Sequence, residues 1–213
     1  MTEIELTRKQ KVFAQREHDI LDAALYLLNG ANWQAVTVEQ IAKQAEIGKG
    51  TVYKHFSSKE EIYAHITLNH YQKFTALISD IDFERDVVSC LHDLIEQCLL
   101  VSINEPAASK IAHFCKNSDF IERLPEALSI KFTAFENEND DMIYKLLSVG
   151  MERGEIPKQP AEELVLAMHA CFHGILAMIW DGHVQDFDKF KQEDFIRITT
   201  RFMIAGALAY QAK

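Results

Sequence analysis

Glycine and proline are scarce, at eight and four in 213 residues. That scarcity excludes collagen-like and low-complexity chains and disfavours turn-rich β folds. Four cysteines are too few for a disulfide framework in so long a chain. Cys90, Cys98, Cys115 and Cys171 lie at irregular spacings with no CxxC, so neither a zinc ribbon nor a thioredoxin-type site is indicated. GxSxG, P-loop, HExxH and dinucleotide fingerprints are also missing, and adjacent acids such as Asp140-Asp141 and Glu162-Glu163 point to different helix faces. An enzyme is not expected, nor a resident cofactor. The opening MTEIELTRKQK has no apolar signal core. The longest nearly apolar run, Leu164–Trp180, is short for a membrane span and contains His169 and His173. A soluble, cytoplasmic protein is expected, with no membrane partner.

Positive charge is lacking overall: 22 Lys/Arg face 32 Asp/Glu, for a net charge of −10. A uniformly acidic surface repels nucleic acid, so the distribution decides. Residues 1–59 hold eight Lys/Arg against seven Asp/Glu, so the head is near neutral and the remainder strongly acidic. What is present in quantity is apolar residue, at 48%, in patterns that repeat every three to four positions. The expectation is an all-α protein.

Arg8 to Arg16 is basic with no apolar period and reads as a flexible arm leading into a helix. Ile20, Ala23, Ala24, Leu27 and Leu28 then mark an amphipathic helix. Asn29-Gly30 ends it, either residue being able to take the left-handed cap conformation. Thr37 and Gln40 form a capping box for a second helix over about residues 38–45, with Val36 and Ile41 placed as a hydrophobic staple. Glu46-Ile47-Gly48 is a turn. Lys49 to His55 is a third helix, with Val52 and Phe56 inward and Lys49, Thr51, Tyr53 and Lys54 away from that side. Ser58 and Glu61 cap a fourth helix. Two short helices joined by a tight turn, apolar only on the inner side, form a helix-turn-helix.

That arrangement suits double-stranded DNA. Lys49 can donate to guanine O6/N7, and the methyl or hydroxyl of Thr51 can touch a base edge. Tyr53, His55 and Lys59 are donors placed to reach phosphate, and Gly50 permits close approach of the backbone.

The stretch TVEQIAKQAEIGKGTVYKHFSSKEEI resembles the DNA-binding domain of the TetR (tetracycline repressor) family of bacterial regulators. The residues that carry the likeness are Thr37, Ile41-Ala42, Ala45, Ile47, Gly50, Val52-Tyr53, His55-Phe56 and Lys59. The resemblance implies a dimeric repressor with a three-helix DNA-binding head and a helical ligand-binding and dimerisation body. It implies that Lys49, Gly50 and Thr51 face bases, that Thr37, Tyr53, His55 and Lys59 face phosphates, and that Lys54 serves either role. Two positions depart from the family pattern. Glu46 stands where glycine is usual, and Gly48 stands where Ser or Thr is usual. The expected division is residues 1–58 for the DNA-binding domain with its basic N-terminal arm and 59–213 for effector binding and dimerisation.

In that body, helices are expected over Ser58 to about Ser79, over Val87 to about Asn104, over Pro106 to Lys116, and from near Pro125 to Glu152. GMERGEI (residues 150–156) reads as a helix end and turn. Pro160 starts a helix whose Leu164–Trp180 run is apolar nearly all round, and a last helix spans about Glu193 to Tyr210. Two terminal helices this apolar would overload one core, which points to a homodimer through about residues 160–182 and 193–211. Phe114, Phe132, Phe135, Met142, Phe172 and Trp180 could line an apolar pocket, with His113, His169 and His173 orienting a small-molecule effector. Ordinary core is the competing reading for each. His169 and His173 have metal-compatible spacing, but Cys171 lies on another face and no paired carboxylate is evident, so no metal is expected. A ligand-independent DNA-organising or adaptor dimer, or a metal or redox sensor, are the alternatives to a ligand-released repressor.

Overall fold

The computed structural model describes residues 7–30, 33–184 and 191–209. Among these residues there are no strands. The helices are α1 (Arg8–Leu28), α2 (Val38–Gln44), α3 (Lys49–His55), α4 (Lys59–Ser79), α5 (Val87–Asn104), α6 (Pro106–Cys115), α7 (Ser118–Ile121), α8 (Glu126–Arg153), α9 (Ala161–Trp180) and α10 (Gln192–Ala209). A 3-10 turn, Trp33–Ala35, precedes α2. The fold is all-α, with a helix-turn-helix head followed by a helical body. Tyr210, expected in the last helix, lies outside the described residues, as does Gln211 of the expected dimer segment.

Two expectations are corrected at the start of the chain. Arg8 to Arg16 is helical, not a flexible arm, because Thr7 and Gln10 close a capping box. Thr7 N–H donates to Gln10 Oε1 at 2.8 Å, and Gln10 N–H donates to Thr7 Oγ1 at 3.3 Å. At the other end of α1 no left-handed cap forms. Asn29 is right-handed at φ −72°, and the Gly30 N–H closes a tighter turn onto Leu27 O at 3.1 Å.

The chain forms two compact units, residues 1–70 with 107–130, and residues 71–106 with 131–213. In the first, Ile20, Ala24, Leu28, Ile41, Ala42, Val52 and Phe56 are buried together with Ile62 and Ile66 of α4. Val36 and Ile41, the expected staple, are both buried. This unit also contains α6 and α7, whose Phe120 stacks edge-on against Phe114, which in turn meets Trp33.

In the second unit, α5, α9 and α10 pack on one another and on the C-terminal half of α8. Val87, Leu91, Leu99, Leu146, Leu147 and Ile156 are its most buried residues. The GMERGEI turn organises it. Gly154 takes φ +74°, and Glu155 N–H donates to Gly150 O at 2.9 Å while Gly154 N–H donates to Met151 O at 3.3 Å. This is a Schellman end, which needs a left-handed residue after the helix. The turn then reaches out. Arg153 donates to Phe83 O at 2.6 Å and Arg85 O at 3.1 Å, and the Glu155 carboxylate accepts the Val87 N–H at the start of α5. Asp86 accepts the Ser89 N–H at 2.7 Å, which holds its carboxyl below the ordinary range.

Gly150 sits where no side chain fits. A Cβ there would stand 2.9 Å from both Ile156 Cδ1 and Val87 Cγ1, neither of which is free to move in a buried core. Gly150→Ala should therefore destabilise the body by about 1–3 kcal/mol through overpacking. Urea denaturation followed by circular dichroism reads this as a lower midpoint at unchanged slope. Because Asp86 has a depressed pKa in the folded state, its contribution is present above the unfolded value of about 3.9 and fades as pH falls through the folded value. Asp86→Ala should remove that part of the acid-side loss of stability in the same titration.

Candidate nucleic-acid interface

The head presents its chemistry through a short helix with one inward stripe. On α3, Val52 and Phe56 are fully buried, so Lys49, Gly50, Tyr53 and Lys54 are left exposed and Thr51 half-buried. Tyr53 is 48% exposed. A Cβ added to Gly50 would meet nothing within 4 Å, so the fold itself does not require glycine there. The α3 N-terminus is open, its first N–H groups offering a positive dipole end beside Lys49.

The turn into α3 carries both departures noted in the sequence. Glu46 adopts φ +54°, the left-handed region that costs a side-chain-bearing residue about 1–2 kcal/mol. Gly48 is the N-cap of α3 with extended backbone and gives no side-chain cap bond. The turn keeps its shape through backbone bonds: Ile47 N–H to Ala42 O at 2.9 Å and Thr51 N–H to Gly48 O at 2.8 Å. The α2 end is tied by the expected box. Thr37 N–H donates to Gln40 Oε1 at 2.8 Å, and Gln40 N–H donates to Thr37 Oγ1 at 3.2 Å, with both residues exposed.

Two residues expected to face phosphate have other work. The His55 side chain is only 7% exposed. Its ring lies 4.0 Å, centroid to centroid, from Phe13, and its Nδ1 stands 3.7 Å from Glu17 Oε1. It closes the C-terminal end of α3 onto α1. Lys59 donates to Val36 O at 3.1 Å and lies over the Tyr63 ring, 5.5 Å from its centroid. It ties the start of α4 to the approach to α2. The α4 cap also differs in detail: Glu61 N–H donates to Ser58 Oγ at 3.1 Å, but the Glu61 carboxylate accepts from Ser57. For His55 the sequence did hold a signal, since Phe13 lies seven positions, two helical turns, before Ile20 on one face of α1; for Lys59 it held none.

The residues expected to line an effector pocket are divided between the two units. His113 and Phe114 are exposed members of the first unit. Phe132, Phe135, His169, Phe172 and His173 belong to the second. There, Phe135 stacks on Tyr71 at 5.3 Å and Phe132 meets it edge-on at 6.2 Å. His169 faces Asp140 of α8, Nε2 to Oδ1 3.8 Å, and Phe172 meets His173 edge-on at 5.9 Å. Thr75 Oγ1 bonds Asn139 Oδ1 at 3.3 Å. Among the described residues no cluster of three metal-ligating side chains occurs. Burial pushes the thiols of Cys98 and Cys115 up to about 12, which leaves them protonated and unreactive at neutral pH. Cys171 is exposed.

Residues 20–66 match the family profile described as "Bacterial regulatory proteins, tetR family". The match lies wholly within the first unit and covers its helix-turn-helix. Over 71 residues it is 34% identical to the uncharacterized HTH-type transcriptional regulator YhgD of Bacillus subtilis (strain 168), covering 33% of this chain and 34% of that protein. Over 52 residues it is 33% identical to the HTH-type transcriptional regulator HbdR of Aromatoleum sp. (strain CIB), covering 24% of this chain and 23% of that protein. The chain thus spans about a third or less of the curated relatives it matches. Among solved structures, the TetR family transcriptional regulator PfmR from Thermus thermophilus superposes with a TM-score of 0.70 at 18% identity, over 87% of this chain and 97% of that one. That likeness concerns the fold of both head and body. These relatives are transcriptional regulators, not enzymes.

The tetR-type turn makes a stability prediction. Glu46→Gly relieves the left-handed strain, and Gly48→Ser supplies the missing cap oxygen where a Cβ has room. Each should stabilise the head, together by about 1 kcal/mol. Glu46→Val should destabilise it by more than that, since a β-branched residue resists positive φ. Thermal melting of the three variants checks the signs.

Proposed function

We propose that this protein is a homodimeric, operator-binding transcriptional repressor released from DNA by a small, mostly apolar ligand. The observation that supports DNA reading is the exposed α3 surface. Lys49, Gly50 and Thr51 meet base edges in the major groove, and Thr37, Tyr53 and Lys54 meet the backbone. His55 and Lys59 hold α3 and α4 in place for that contact. The acidic surplus lies outside residues 1–59, which are near neutral, so the head is the part of the chain that repels phosphate least and the charge distribution orients the encounter.

Dimerisation is supported by what α9 and α10 leave uncovered. Leu166 is 72% exposed and Phe202 77%, with Met178, Ile198 and Leu208 exposed as well. Ala167, Ala170, Gly174 and Ala177 on α9, and Ala205 and Gly206 on α10, are small residues that let helices approach closely. So large an apolar face on one chain marks an interaction surface. A second copy matches it by symmetry and supplies the second half-site reader. The whole of α9 is apolar enough by composition to cross a membrane, but a paired face accounts for that composition in solution.

The release step follows from linkage. A ligand that binds better to a body conformation with wrongly spaced heads lowers operator affinity by its differential affinity for the two states. Tyr71, Phe132, Phe135, Phe172 and His173 are the residues of the second unit best suited to hold an apolar effector, with His169 as a polar contact.

Fluorescence anisotropy against duplexes from the DNA flanking the protein's own coding region tests this. Lys49→Ala and Tyr53→Ala should each weaken operator binding by about 1–3 kcal/mol with an unchanged melting temperature. Equal affinity for operator and unrelated duplex in the wild-type protein would sink the regulator reading. Phe202→Glu should convert the dimer to monomer in sedimentation velocity and lose operator binding with it. A wild-type protein that sediments as a monomer would overturn the dimer.

A further inference from the structure

Residues 8–16 of α1 carry charge that the head's packing does not use. From Thr7 to Arg16 there are four cations, Arg8, Lys9, Lys11 and Arg16, and no acid. All lie before residue 20, where the family match begins. Arg8, Lys9 and Lys11 are exposed, and Arg16 keeps only a weak surface pair with Asp19 at 3.6 Å. Cations at a helix N-terminus oppose the helix dipole, so this charge makes the free helix less stable. It becomes favourable when an anion approaches.

The segment is not adrift. Phe13, 47% exposed, places its ring on that of His55 at the C-terminal end of α3, and Glu17 flanks the same histidine. His55 is more than nine-tenths buried, and its Nδ1 makes no hydrogen bond. Lys9 and Arg16 stand four residues before and three after Phe13, on the same helix face. These two cations therefore flank the residue that ties α1 to the end of α3.

We propose that residues 8–16 of α1 are a second DNA-backbone contact, with Lys9 and Arg16 binding phosphate and the Phe13–His55 ring contact positioning them. The inference rests on the DNA-reading role of α3. The Phe13–His55 contact joins this segment to the C-terminal end of α3, and its charge is complementary to a polyanion. Phosphate contacts of this kind carry no sequence information, so they raise affinity for all duplexes alike.

The test compares Lys9→Gln/Arg16→Gln with Lys116→Gln/Lys131→Gln, an equal charge change at exposed residues elsewhere. Binding is measured over a salt series to the operator duplex and an unrelated one. The first pair should lower the slope of log affinity against log salt by about 2 per bound head, at roughly 0.9 per phosphate lost. Affinity for both duplexes should fall about tenfold at moderate salt, leaving their ratio unchanged. The melting temperature should hold or rise, since an unfavourable dipole interaction is removed. Phe13→Ala should reproduce the slope loss with every cation intact. His55→Phe should retain the slope, and His55→Ala should lose it, as a positioning ring requires. A wild-type slope in Lys9→Gln/Arg16→Gln overturns the inference. If Lys49→Ala still abolishes operator preference in that case, the reading of α3 stands without it. If His55→Phe loses as much as His55→Ala, the positioning role falls.

Discussion

A helix of seven residues has one face to bury, and in α3 that face is Val52 with Phe56. Everything the head can do depends on this. Once those two side chains enter the core with Ile20, Ala24, Ile41 and Ala42, His55 is drawn in against Phe13, and Lys49, Gly50, Tyr53 and Lys54 are left outside. Burial of two such residues is worth about 3–6 kcal/mol. That outweighs the left-handed strain at Glu46 and the missing cap at Gly48, so the turn holds despite two locally unfavourable residues. The small Ala42 matters for the same reason, because it lets α3 cross α2 closely enough for Val52 to be sealed.

The sequence makes the helix-turn-helix legible because its signals are local. Thr37 with Gln40, Val36 with Ile41, and the spacing of Val52 and Phe56 are all decided within a few residues. The same holds for the GMERGEI turn, where Gly154 announces the left-handed end. The α1 start was readable in principle, since Thr7-x-x-Gln10 is the same capping pattern. The absence of an apolar period over Arg8–Arg16 hid it. What periodicity cannot reveal is a contact between a residue and a distant partner. His55 looks like a surface donor until Phe13 is known to lie on it, and Lys59 until Val36 O is. The short α7 had no period to read.

The effector-lining candidates show the limit more plainly. Composition marks aromatic residues in apolar helices as pocket candidates, but it does not separate Phe114, which joins the Trp33 and Phe120 cluster in the first unit, from Phe135, which stacks on Tyr71 in the second. Charge gives better guidance. His169 is set against Asp140 across two helices, an arrangement that neither residue's own helix would stabilise.

The two ends of the chain carry opposite kinds of incompleteness. The α1 start bears repelling cations that favour an anionic partner. The outer faces of α9 and α10 bear apolar surface that favours an apolar one. Each feature makes the isolated chain less stable or less soluble, and each is relieved by association. In the proposed dimer the apolar faces meet a like face, and in the proposed DNA contact the basic segment meets phosphate, since it repels a like copy. Joining two chains would double the number of DNA-reading heads. One association would then raise the electrostatic gain available to the other, and operator affinity would depend steeply on both dimerisation and salt.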